Sequence, residues 1–133
     1  MKNIDRSGLS PAFEQDEQYK SNLILEANML KAQGQYTQAS QRFALATEIE
    51  ERLARELQQL DKRDKAFHHA FSAVNCWAQA GDLYRAQTAG LDLLSQADLS
   101  AKNRERLQRF LQSLSKQTIE WMKQWQSGTV TAD

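Results

Sequence analysis

Cysteine occurs once in this chain and proline once, glycine five times, and the seventeen acidic side chains cancel the seventeen basic ones. A single cysteine leaves no internal disulfide and fits a reducing compartment. A balanced charge argues against a dedicated nucleic-acid binder, because neutralising several phosphates draws on a clear basic excess. The first residues lack a signal-type apolar run, and no stretch approaches the ~18 apolar residues a membrane span needs. These absences predict a soluble cytoplasmic protein with no nucleic-acid or membrane partner. β-Branched aliphatics are also scarce, at four Ile and two Val. The residues that dominate instead are Leu, Ala, Gln, Glu, Lys and Arg, which lose least on entering a helix. With 133 residues the chain suits one domain, burying roughly two-thirds of its unfolded surface. The predicted class is all-α.

The pattern divides into about five helices. Residues 1–10 are polar and patternless and read as a flexible arm, as do residues 127–133 as a tail. Ser10-Pro11 is a helix opening, with serine as cap and proline in the first turn. Phe13, Tyr19, Leu23, Ala27 and Leu30 then trace an apolar face to Gly34, which suits a left-handed helix end. Thr37 is a candidate cap for a second helix, in which Ala39, Phe43, Ala46, Ile49, Leu53, Leu57 and Leu60 keep a helical period. Asp61-Lys62-Arg63-Asp64 interrupts that period without Gly or Pro. Either the helix breaks there, with Asp64 as cap, or it continues into residue 80. Ala66, Phe67, Ala70, Phe71, Val74 and Trp77 define the next helix, ending at Gly81. Asp82 caps a fourth, and Asp98 or Ser100 opens a fifth that continues to about Gln126.

Two segments 47 residues apart say nearly the same thing. Ala27-Asn28-Met29-Leu30-Lys31-Ala32-Gln33-Gly34 leads into Gln35-Tyr36-Thr37-Gln38-Ala39, and Val74-Asn75-Cys76-Trp77-Ala78-Gln79-Ala80-Gly81 into Asp82-Leu83-Tyr84-Arg85-Ala86. A repeated helix-turn-helix unit builds a stacked helical scaffold. The run Gly34-Gln35-Tyr36-Thr37-Gln38-Ala39, with Phe43 and Ala46 after it and Ala27 before it, resembles the tetratricopeptide repeat. The second copy keeps Gly81, Leu83 and Ala86 but has Val74 for the small residue and Gly90 for the aromatic. Its interval exceeds that family's usual period of about 34, the excess falling in the long second helix. In layout the chain is also loosely similar to the soluble NSF attachment proteins. The resemblance implies antiparallel repeats in a right-handed superhelix, with units at about 19–60 and 64–96 inside a domain spanning 11–126. A capping helix at about 99–126 closes it.

The resemblance further implies a non-catalytic adaptor that holds a partner's peptide or helix in a groove lined by the first helix of each unit. By position in the motif the groove residues are Asn28 and Lys31 with Ile24, then His68, Phe71, Asn75 and Gln79. Asparagine stands at the equivalent place in both copies, and an amide can both donate to and accept from a peptide backbone. Family members that clamp a terminal carboxylate place a lysine one turn before such an asparagine. Ile24 and Phe71 stand there instead, which points to a more apolar peptide.

Other chemistry finds little footing. His68-His69 and Cys76 suggest a metal, with Asp64 and His68 four apart and His69 and Cys76 seven apart. Adjacent histidines diverge by about 100° on a helix, and no further Cys or His completes a tetrahedral set. Neither a phosphate loop nor a nucleophile elbow is present, and Glu48, Glu50 and Glu51 lack the di-iron Glu-x-x-His pattern. No enzyme, cofactor or metal is expected.

The last helix has the most distinctive surface. Leu107, Leu111, Leu114, Thr118, Trp121 and Trp125 form one face, and Lys102, Arg106, Arg109, Lys116 and Lys123 lie roughly opposite. Residues 99–125 carry six basic and two acidic side chains. A capping helix has this form. So does a homodimer or docking surface built on Trp121 and Trp125 with Arg106 and Arg109, and so does the basic interfacial helix of a peripheral membrane or trafficking adaptor.

Overall fold

Three nearly identical turns organise the chain. The computed structural model describes residues 8–126, so most of the arm read at 1–10 and the whole tail at 127–133 lie outside the described residues. Five helices follow in order: α1 Pro11–Ala32, α2 Tyr36–Gln59, α3 Arg63–Gln79, α4 Leu83–Leu94 and α5 Ala101–Gln126. There is no strand among the described residues. α1, α2 and α3 each end on a residue in the left-handed region: Gly34 (φ 79), Asp61 (φ 58) and Gly81 (φ 88). At each, that residue's amide donates to the carbonyl three back, and the next amide donates to the carbonyl five back. The pairs are Gly34 to Lys31 and Gln35 to Leu30, Asp61 to Gln58 and Lys62 to Leu57, and Gly81 to Ala78 and Asp82 to Trp77. This pair of hydrogen bonds satisfies carbonyls that the helix end leaves open.

The second of those residues is also the N-cap of the following helix. Its carbonyl takes the amide of an alanine four residues on, Ala39, Ala66 or Ala86, and all three alanines are buried. The sequence therefore does break at 60–64, with Asp61 adopting the conformation that glycine adopts elsewhere. Asp64 is not the cap, since α3 already begins at Arg63, and Thr37 is not one either, since α2 begins at Tyr36. Asp82 caps α4 through the Arg85 amide at 3.1 Å, and Ser100 Oγ accepts the Asn103 amide at 3.1 Å at the start of α5. Ser10 holds the N-cap position of α1 without a side-chain cap bond. Its amide and hydroxyl both donate to the Glu56 carboxylate on α2, at 2.8 and 2.9 Å, and Leu9 packs on the core beside it.

α2 packs against both α1 and α3, α3 also against α4, and α4 against α5. Glu26 pairs with Arg42 at 2.8 Å and Asp16 with Arg52 at 3.0 Å across α1 and α2. One core forms among α1, α2 and α3, with Phe13, Leu23, Phe43, Leu53 and Leu57 as its bulk. A second forms among α3, α4 and α5, around Val74, Trp77, Leu93, Leu107 and Leu114. α3 serves both, giving Ala66 and Cys76 to the first and Phe67, Val74 and Trp77 to the second.

Gly90 stands where the first copy has Phe43, and the structure supplies the reason. A Cβ at Gly90 would lie 2.5 Å from Leu111 Cδ2 and 3.3 Å from Leu111 Cγ. The bare backbone of α4 thus seats a buried leucine of α5. Gly90→Ala favours the isolated helix by about 1 kcal/mol, yet overpacking of this kind costs about 1–3 kcal/mol. Urea unfolding should show Gly90→Ala less stable than the parent. Adding Leu111→Ala to it should cost less than the two single changes summed.

Candidate functional site

The groove residues read from the sequence meet four different environments. Asn28 and Asn75 are exposed on α1 and α3, and neither side chain bonds to another described residue. Lys31 and Gln79 are brought together: Lys31 Nζ donates to Gln79 Oε1 at 2.7 Å, tying the C-terminal ends of α1 and α3. His68 is exposed beside the edge of Phe67. Phe71 is committed to the α3–α5 contact, its ring meeting Phe67 at 5.7 Å and Phe110 at 5.4 Å edge to face. Arg106 lies over Phe71 at 5.4 Å. Arg109 pairs along its own helix with Glu105 at 2.6 Å.

A cluster that no motif marks lies where α1, α2 and α3 meet. Glu50 is 1% exposed. The imidazole of His69 donates from Nδ1 to Glu50 Oε1 at 2.7 Å, and Lys20 Nζ stands 3.6 Å from the same oxygen. Glu17 lies 3.9 Å from His69 Nε2 on the far side, and Phe13 packs its ring edge-on against the imidazole at 6.1 Å. Every buried side-chain polar atom among the described residues has a partner, as buried polar groups require. The signal was present: Glu50 falls seven residues after Phe43 and three before Leu53, inside the apolar seam of α2. A carboxylate there needs hydrogen-bond donors from a neighbouring helix. His69, not His68, provides part of the answer.

Cys76 borders this cluster and is buried. Burial, then the negative charge of Glu50, push its thiol up to about 11, against smaller opposing effects of Ser72, Lys20 and Thr47. A thiol so placed stays protonated at neutral pH and is a poor nucleophile. Its folded value lies above the ordinary 9.0, so the native state holds the proton while the unfolded chain releases it. Stability from this group is therefore full below pH 9 and lost as pH rises toward 11, by about 2–3 kcal/mol. The difference in urea midpoint between the parent and Cys76→Ala should shrink over that range.

α5 carries exposed large apolar side chains toward its C-terminal end. Its contacts with α4 and the loop after it run from Arg104 on the Leu94 carbonyl, through Leu111 over Gly90, to Ser115 on Gln87. Ile119, Trp121, Met122 and Trp125 are 51, 54, 49 and 49% exposed, and the two indoles stack with centroids 5.7 Å apart. A groove of about 750 Å³ runs between α4 and α5, and a cleft of about 450 Å³ lies over the alanines of α3 between α2 and α4. Among the described residues no group of three or more His, Cys, Asp or Glu could hold a metal ion, and no helix is long and apolar enough to cross a membrane. Compared with known proteins, the chain matches no family model, no curated protein and no solved structure.

Proposed function

We propose that this chain is a non-catalytic, tetratricopeptide-like helical scaffold that docks a peptide or helix of a partner protein. The observation that carries the reading is the end of α5, where four large apolar side chains within seven residues stand about half exposed. A helix that only closes a stack presents a polar outer face, and an exposed apolar cluster of this kind marks an interaction surface. The pairs Glu26–Arg42 and Asp16–Arg52 match opposite ends of α1 and α2, as an antiparallel hairpin does. The recurring turn and buried alanines support repeated units packed closely. Asn28 and Asn75 supply a second, polar face on the first helix of each unit. The buried cluster at Glu50 is satisfied internally, which supports a structural role for it.

Affinity capture from the cells of origin tests this, with the parent chain beside Trp121→Ala/Trp125→Ala and Asn28→Ala/Asn75→Ala. A heterologous protein retained by the parent and lost with either pair supports the scaffold and locates its face. Recovery of the bait alone from all three contradicts it. Self-association is the second reading, favoured because Trp121 and Trp125 extend the seam of Leu107, Leu111, Leu114 and Thr118. It predicts a concentration-dependent dimer by sedimentation equilibrium, abolished by the tryptophan pair.

A further inference from the structure

Resting on the scaffold reading, we propose that the groove between α4 and α5 receives an acidic amphipathic helix from a partner protein. The groove is floored by Leu91, Leu94, Leu111 and Ile119 and edged by Lys116 and Lys123. Leu91 and Ile119 are 57 and 51% exposed, so the floor is open to a ligand. Those two lysines belong to a longer line, because Lys102, Arg109, Lys116 and Lys123 recur every seven residues. Seven residues are two helical turns with a drift of only about 20°, which makes a straight cationic ridge along α5. Arg109 is engaged by Glu105. Lys102, Lys116 and Lys123 have no ion pair with any described residue. Glu120 is the acidic exception at the rim.

An apolar floor beside one cationic edge matches a helix laid in a groove, read through apolar anchors at i, i+3 or i+4, and i+7. Its complement carries Asp or Glu every seventh residue on the flank that faces the ridge. A second copy of α5 is a poorer fit. In a two-fold antiparallel pairing each flank meets its own counterpart, so Lys116 and Lys123 would face lysines. A bilayer is a poorer fit as well, since Leu111 in the floor is buried.

The test selects binders to the full chain from a display library of helical peptides, then measures a selected peptide by fluorescence anisotropy. Selected peptides should carry the heptad-spaced acidic flank. Lys116→Glu/Lys123→Glu should weaken binding by about tenfold or more, with the helical circular dichroism unchanged, and a peptide with lysines on that flank should regain affinity for this variant. Peptides without an acidic flank, or bound equally by the charge-reversed chain, overturn the groove. So does flotation with phosphatidylserine vesicles that depends on these lysines while no acidic helix is selected. Peptides lost with Asn28→Ala/Asn75→Ala and indifferent to the ridge overturn the groove but leave the scaffold standing. A library that yields no binder overturns both.

Discussion

His69→Ala should destabilise the fold by about 3–5 kcal/mol, because it leaves the carboxylate of Glu50 buried with an incomplete set of partners. Glu50 is 1% exposed and its near oxygen is held by His69 at 2.7 Å. Lys20, 3.6 Å away, is the nearest cation, and its longer contact cannot replace a hydrogen bond. The cost reports the stranded charge and not the worth of the cluster. Replacing all three members with apolar groups of similar volume, Glu50→Leu/His69→Leu/Lys20→Met, should therefore recover most of the loss. Equilibrium urea unfolding of the parent, the single variant and the triple variant measures this. A His69→Ala variant as stable as its parent, or a triple variant far worse than the single one, would contradict the account of the cluster. The same series asks whether the cluster holds α1, α2 and α3 in register, since all three helices contribute to it.

Leu107→Ala should cost about 2–5 kcal/mol, the range for a buried leucine whose cavity only partly collapses. Leu107 is 0% exposed and lies in the core that α3, α4 and α5 share. α5 is joined to the rest through that core and through the Phe71–Phe110 contact. Loss of packing here should loosen α5 before it loosens α1 and α2. Hydrogen exchange should then show amides 101–126 losing protection by more than those of α2. Uniform loss across all five helices would show instead that the two cores, joined by α3, unfold as one unit.

What was legible in the sequence follows from where local chemistry is unambiguous. Gly34 and Gly81 mark their turns because only glycine enters the left-handed region without steric cost. Asp82 and Ser100 act as the caps their residue types favour. Leu107, Leu111 and Leu114 lie buried as their spacing requires. Asp61 was not distinguishable from its charged neighbours, because aspartate tolerates the left-handed conformation without demanding it. The place of His69 beside Glu50 is hidden for another reason. α3 is covered on two flanks, so its apolar pattern runs nearly around the helix and names no single inward face. Phe71 holds a groove-facing place in the motif, and its half-buried ring also meets Phe110 and Arg106. That contact depends on where α5 packs, which no local spacing encodes.

The most direct test of partner docking at the end of α5 is photo-crosslinking in the cells of origin. A benzophenone amino acid would replace Trp121 in one sample and exposed Glu48 on α2 in a control. The account predicts one heterologous adduct from position 121 and none from position 48. Adducts absent from position 121, or formed equally from both positions, would contradict it.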